Sequence, residues 1–165
     1  LELFEDFPEM DTVIVPLSGG GLMAGIAFTV KAIKPSIHVV GVSMERGPAM
    51  VESLKAGRVV DIIEEPTIAD ALAGGLNKDN QYTYPMVKKY VDETVLVSEE
   101  EIIEAMYFGI SEEHMILEGG AAVGIAALLS RKVKKLGKNI AVVLSGANIS
   151  IQVLKKVINE GEKTT

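Results

Sequence analysis

The sequence predicts an α/β protein in three layers, a parallel sheet with helices on both faces. Three observations carry that expectation. Short runs of apolar, mostly β-branched residues recur at 12–17 (TVIVPL), 37–42 (IHVVGV) and 139–144 (NIAVVL), the pattern of strands buried on both faces. Segments with apolar residues at helical spacing alternate with these runs, as a parallel sheet requires. Ser-Gly turns leave the ends of the first and last runs, at Ser18 and Ser145.

The elements follow in order. After the first strand comes a glycine loop, Ser18-Gly19-Gly20-Gly21. Leu22, Ile26, Val30 and Ile33 mark a helix that begins at Leu22. Lys31 and Lys34 complement its dipole in the last turn, and Pro35 stops it. A second helix is expected over 48–56, closed by Gly57. Residues 67–75 (TIADALAGG) are small and end in a glycine pair, so they are expected as a loop or short helix near a site. A helix over about 80–91 leads to a strand at 93–97. Ser98 and Glu101 then form a capping box for a long helix with Ile102, Met106 and Ile110 as its buried stripe. Gly119-Gly120 breaks the chain before an alanine-rich helix expected to end near Leu136-Gly137. The run at 139–144 is expected as a final buried strand, followed by the turn Ser145-Gly146-Ala147-Asn148 and a last helix. In such sheets ligands gather outside the carboxyl ends of the strands, so both Ser-Gly turns are expected to open on one edge.

Composition narrows the chemistry. The 165 residues suit one domain, and 48% hydrophobic with 24% charged residues reads as an ordinary globular protein. The absence of cysteine removes disulfides, thiolate metal sites and cysteine nucleophiles. The two histidines, His38 in a strand and His114 on a helix, lie far apart in sequence and are expected to be partly exposed structural residues. The net charge of −7 comes with no basic block, which argues against a nucleic-acid partner. The longest apolar runs, such as 121–129, are too short to span a bilayer and no signal peptide opens the chain; a soluble cytoplasmic protein with no membrane partner is expected.

Three successive glycines let backbone N–H groups converge on one point, and the helix that follows adds its positive end. That is a phosphate cradle in physical terms, although a tight strand-to-helix turn would use the same residues. A P-loop is excluded, because no Lys-Ser or Lys-Thr follows the glycines. The dinucleotide fingerprint fits poorly: three residues rather than two separate Gly21 from Gly25, with Glu45 about where a ribose-binding acid is sought. An NAD-binding oxidoreductase domain therefore stands as one alternative, and a non-catalytic sensor of a phosphate ligand as another.

Four motifs occur in register: Ser18-Gly19-Gly20-Gly21-Leu22 after an apolar strand, Ile68-Ala69-Asp70 with Gly74-Gly75, Glu118-Gly119-Gly120-Ala121-Ala122, and Leu144-Ser145-Gly146-Ala147-Asn148. Their order and spacing resemble those of the pyridoxal-phosphate-dependent threonine/serine dehydratases, enzymes of fold type II. The segments 41–47 (GVSMERG) and 70–75 (DALAGG) look most similar to the hydroxyectoine-utilisation dehydratase branch. The resemblance implies that the backbone of Ser18, Gly19, Gly20, Gly21 and Leu22 holds the cofactor phosphate and that Ser145 hydrogen-bonds the pyridine nitrogen. A neutral hydroxyl there does not force the ring to stay protonated. Glu118 falls where the family has a glutamate near the ring, but the usual following proline is Gly119 here; the alternative is that Glu118 only starts the next helix. Asp70 is expected to fix its own loop. The family's divalent-cation ligands would fall at Ser43 and Ala49, neither of them a carboxylate, so no metal site is expected.

The same resemblance implies removal of an α-proton and a β-hydroxyl from a small hydroxy amino acid such as L-threonine, giving a 2-oxo acid and ammonia. None of the 13 lysines stands in a Ser-Phe-Lys setting, so the Schiff-base lysine is expected upstream. Residues 1–165 are accordingly expected to be the cofactor-binding portion of the large domain, without the lysine segment and the small domain, inactive alone and homo-oligomeric when complete.

Overall fold

Parallel pairing of four strands organises the chain in the computed structural model, which describes residues 1–162. Strands β1 (Thr12–Pro16), β2 (His38–Met44), β3 (Glu93–Val97) and β4 (Ile140–Val142) lie in the order β3-β2-β1-β4. Thr12 stands opposite both His38 and Ile140, and Val40 opposite Glu93. Successive side chains of a strand point to opposite faces. Val13, Val15 and Val39 accordingly join a core formed with α2 (Gly21–Ile33), α3 (Ala49–Ala56) and α4 (Thr83–Tyr90). Ile14, Val40, Val42 and Met44 face the other way, toward α5 (Glu99–Ser111), α6 (Gly119–Leu129) and α7 (Ile151–Gly161). Two cores on one sheet make the three layers that the alternating pattern predicts.

The capping box of α5 forms as expected: the Ser98 hydroxyl accepts from the Glu101 N–H at 3.3 Å and the Glu101 carboxylate accepts from the Ser98 N–H at 2.8 Å. Such caps contribute about 1 kcal/mol. Gly57 closes α3 in the left-handed conformation, φ 72°.

Several details depart from expectation, each for a local reason. A short helix α1 (Glu2–Asp6) precedes β1. Helix α2 buries Met23, Ala24, Ala27 and Val30, while Leu22 and Ile33 remain 46% and 49% exposed; alanines carry the packing face, and their weak apolar signal shifted the apparent stripe. Helix α4 begins at Thr83 because residues 77–80 turn first, with the Asn80 N–H bonded to the Asn77 carbonyl. Gly119 and Gly120 are the first two residues of α6 instead of a break. That helix ends at Leu129, seven residues short of Leu136, because Arg131 adopts φ 55° and the Ser130 hydroxyl folds back onto the Ala126 carbonyl at 2.7 Å. Strand β4 has three residues and lies half-buried at the sheet edge, not fully buried over six. His114 lies past the end of α5, exposed, with φ 56°, so it is not on a helix. Among the described residues no helix is long and apolar enough to cross a membrane.

At the amino edge of the sheet, charge closes the ends of β2 and β3. Asp92 accepts from the Lys31 ammonium at 2.6 Å and the Val39 N–H at 2.8 Å; Glu93 accepts from the Lys134 N–H at 2.9 Å and lies 3.1 Å from His38 Nε2. Partial burial pushes both carboxyls up. The bonds outweigh it, chiefly from Lys31 to Asp92 and from the Lys134 N–H to Glu93, and both pKa values end below the ordinary carboxylate range. A lowered folded pKa contributes stability that is full above the unfolded value near 4 and is lost as pH falls through the folded one. The melting temperature is therefore expected to fall as pH drops below about 4, and Asp92→Asn to flatten that fall while lowering stability at neutral pH. Thermal melts of both proteins between about pH 2 and about pH 7 measure this; parallel curves would contradict it.

Candidate functional site

The carboxyl ends of β1 and β4 open side by side, and the loops that leave them line one cleft of about 210 Å³. Its lining includes Ser18, Gly19, Gly20, Gly21, Leu22, Glu118 and Ser145, so all seven residues expected at a site meet there. Ala71 and Leu72, from the 3₁₀ turn Asp70–Leu72, close one side, as expected for a loop near a site. The volume is below the roughly 300 Å³ at the lower end of ligand pockets, so these residues form a wall and floor, not an enclosure.

The glycines of the loop divide by what surrounds them. Gly20 has φ 88°, and a Cβ there would meet Met50 Cε at 2.8 Å and Thr83 Cβ and Val87 Cγ2 at 3.1 Å, so its own protein demands glycine. Gly19 and Gly21 are different: a Cβ on either would have nothing within 4 Å. Packing inside the chain gives no reason for them to be bare. They leave the backbone open on the cleft side, where a ligand can approach the N–H groups. Helix α2 starts here with Gly20 as its N-cap, no side chain capping it and no acid in its first turn. Its positive end is left uncompensated by the protein. The Ser18 hydroxyl donates to the Leu72 carbonyl at 2.9 Å, which ties the glycine loop to the 3₁₀ turn.

Glu118 lines the cleft and also starts the next helix. It is the N-cap residue of α6, and its Oε2 accepts from the Asn148 N–H at 3.1 Å while its own N–H donates to the Gly146 carbonyl at 3.2 Å. The loop that carries Ser145 is thereby held against the start of α6. A Cβ on Gly146 would fall 2.2 Å from Glu118 Oε1, so the carboxylate occupies the space a side chain would need. Ser145 itself is exposed and its hydroxyl takes no partner among the described residues. At Gly119 a Cβ would lie 2.2 Å from the Ile68 carbonyl oxygen; backbone approaches backbone here.

Asp70 bonds its own loop, accepting from the Ala71 N–H at 2.9 Å. Ser43 is buried with its hydroxyl on the Met44 sulfur at 3.4 Å, and Ala49 is buried at the start of α3. Among the described residues no group of three or more His, Asp or Glu gathers to hold a metal. Glu45 takes the Lys132 ammonium at 3.3 Å and does not line the cleft.

Two contributors escaped the sequence reading. Glu99 accepts from the Thr67 hydroxyl at 2.5 Å and the Ile68 N–H at 2.8 Å, fixing the approach to the 3₁₀ turn. In sequence it reads only as one of three acids in the first turn of α5. Thr83 donates to the Gly19 carbonyl at 2.7 Å, a bond across 64 residues for which the sequence gives no signal.

A glycine wall, an uncapped helix start and an unpaired hydroxyl meet at the carboxyl edge of a parallel sheet, the edge at which α/β proteins take their ligands. The chain belongs to the family of pyridoxal-phosphate dependent enzymes, whose model matches residues 1–146. It is 42% identical over 161 residues to the L-threonine ammonia-lyase of Thermotoga maritima, covering 98% of this chain and 39% of that protein. Among solved structures, the processed form of threonine deaminase isoform 2 from Solanum lycopersicum matches with a TM-score of 0.85 and 31% identity over 96% of this chain and 46% of its own. Maize serine racemase matches with a TM-score of 0.84 and 32% identity over 99% and 50%. The chain thus spans two-fifths to one half of the length of these relatives. The residues of the cleft fit pyridoxal phosphate: bare backbone and a helix start for the phosphate, a neutral hydroxyl for the ring nitrogen.

The two kinds of glycine are expected to separate in stability. Gly20→Ala places a side chain in the left-handed region and against Met50, a cost of about 2–4 kcal/mol. Gly21→Ala is expected to leave stability within about 0.5 kcal/mol or raise it slightly. Urea unfolding of the two variants decides this; equal losses would remove the distinction.

Proposed function

We propose that the complete protein is a pyridoxal-phosphate-dependent ammonia-lyase that converts a small β-hydroxy amino acid, L-threonine in the first instance, to a 2-oxo acid and ammonia. One observation carries the reading: Gly19 and Gly21 are bare on the side of the cleft that also receives Ser145, with no atom of the chain that requires them to be so. In this reading the backbone N–H groups of residues 18–22 and the start of α2 hold the phosphate. The Ser145 hydroxyl pairs with the ring nitrogen, and Glu118 keeps that hydroxyl in place through the Gly146 and Asn148 bonds. Bound pyridoxal phosphate supplies the electron sink that makes the α-proton of an amino acid removable. A neutral serine at the ring nitrogen suits a milder sink, enough for β-elimination of a hydroxyl.

No lysine lines the cleft among the described residues, yet this chemistry needs one to hold the cofactor and move the α-proton. We therefore assign residues 1–165 to the cofactor-binding part of the large domain, with the lysine and the substrate-carboxylate loop supplied by an upstream segment. The identity to proteins named as threonine ammonia-lyases supports threonine as the substrate class. A homo-oligomer in the cytoplasm completes the proposal. The NAD-binding alternative loses its support, since the acid it needs is engaged by Lys132 away from the cleft.

The test is the full-length protein loaded with pyridoxal phosphate and given, in separate reactions, L-threonine, L-serine and a hydroxylated intermediate of ectoine breakdown. Oxo acid and ammonia from L-threonine at the highest kcat/KM are expected. Turnover of the ectoine intermediate alone would move the protein to that branch, D-serine as the main product would make it a racemase, and no cofactor binding at all would sink the proposal. In the same protein Gly21→Ala is expected to weaken cofactor binding at least about tenfold with the melting temperature of the cofactor-free form unchanged.

A further inference from the structure

We infer that Thr83, held by Asn80, is a positioning residue that orients the Gly19–Gly20 peptide so that the Gly20 N–H faces the ligand phosphate. The inference rests on the phosphate cradle proposed above and adds to it a residue outside the cleft.

A threonine hydroxyl has one proton and two lone pairs. Asn80 Nδ2 donates to Thr83 Oγ1 at 2.8 Å, which fills a lone pair and leaves the single proton for the Gly19 carbonyl at 2.7 Å. Asn80 Oδ1 also lies 3.1 Å from the same hydroxyl, but it accepts the Tyr84 N–H at 3.0 Å, and the Gly19 carbonyl is the nearer acceptor for Thr83. Asn80 therefore does two things at once. It caps the start of α4 and fixes the direction of the Thr83 proton.

The consequence for the cradle follows from peptide geometry. In a trans peptide the C=O and the following N–H point in opposite directions across one plane. Thr83 draws the Gly19 carbonyl toward α4, so the Gly20 N–H is turned the other way. Thr83 does not line the cleft, whereas Gly19, Gly20 and Gly21 do. The sterics agree, because the Cα of Gly20 points its missing side chain at Met50, Thr83 and Val87. Without this bond a glycine peptide rotates readily, and a flipped peptide would aim a carbonyl oxygen at the phosphate. The residue thus excludes a repulsive arrangement as well as presenting a donor.

The experiment compares the affinity of the full-length protein for pyridoxal phosphate with its affinity for pyridoxal, which lacks the phosphate. Their ratio isolates the phosphate subsite from everything else that binds the ring, and the ³¹P resonance of the bound cofactor reads the same environment directly. Wild type is expected to prefer the phosphorylated form. Thr83→Val, which keeps the shape and removes the hydroxyl, is expected to narrow that preference about tenfold and shift the resonance, while Thr83→Ser retains both. Asn80→Ala is measured alongside, with a narrowing of about threefold expected, so that a Thr83→Val protein that fails to fold still leaves the question decided. An unchanged ratio in folded Thr83→Val, or in Asn80→Ala if the former does not fold, overturns the role of Thr83 while leaving the cradle intact. No preference for the phosphorylated form in wild type overturns the cradle itself, and the inference with it.

Discussion

The pairing of β1 with β4 is the constraint on which the site depends. These strands are separated by more than 120 residues, and only their parallel register, Thr12 opposite Ile140 through Ile14 opposite Val142, brings the loops of Ser18 and Ser145 to one edge. Three residue pairs are few for that task, and the flanks reinforce them. Below the strands, Asp11 accepts from the N–H groups of Lys138 and Asn139, while the Thr12 hydroxyl accepts from the Gly137 N–H. The Lys138 N–H is the largest influence on the Asp11 carboxyl, whose pKa lies below its ordinary value. Above, the Val143 N–H bonds the Ile14 carbonyl at 2.9 Å and extends the ladder past the strand proper. A sheet edge held at both ends permits no slip, and a slip of one residue would turn every side chain of β4 over.

Helix α6 transmits this order to the rest of the cleft. Its residues Gly119 through Ala127 are all buried, and a Cβ on Gly124 would strike Val142 Cγ1 at 2.7 Å, so the helix lies as close to β1 and β4 as backbone allows. Its start carries Glu118 to the Ser145 loop and brings Gly119 against the Ile68 carbonyl. From there Glu99 fixes residues 67 and 68, and Ser18 reaches the Leu72 carbonyl. The cleft is ringed by loops joined by hydrogen bonds and by the close approach of Gly119 to Ile68, at the start of a helix that opens on glycine and alanine.

How much of this was legible in the sequence follows from the range of the forces involved. Continuous β-branched runs announce buried parallel strands because burial on both faces leaves no other pattern, and Ser98 with Glu101 announces a cap because both halves of the bond lie within four residues. The convergence of Ser18 and Ser145 was legible as well, since parallel strands must end on the same side. The misreadings have a different origin. The stop of α6 at Leu129 depends on the conformation of Arg131, and the buried stripe of α2 depends on alanines whose packing partners are distant in sequence. The Thr83–Gly19 bond joins two polar turns that carry no periodic signal at all. Local hydrogen bonds and burial patterns are written along the chain; side chains that orient a remote peptide are not.

The helix starts of the molecule differ in how far their own residues complete them. Helix α5 meets its own positive end with Glu99, Glu100 and Glu101 and a full capping box, and α7 is capped by the Ser150 hydroxyl. Helices α3, α4 and α6 lack a side-chain bond from their N-cap residue as α2 does, so an unfilled cap alone does not mark a ligand site. Helix α2 has no acid in its first turn, no side-chain cap and no Cβ on Gly19 or Gly21, although nothing in the chain crowds either glycine. Only Gly20 has a reason within the chain to be glycine. The remaining omissions make sense together, because a dianion at this position would supply at once the charge, the acceptors and the volume that the protein leaves out.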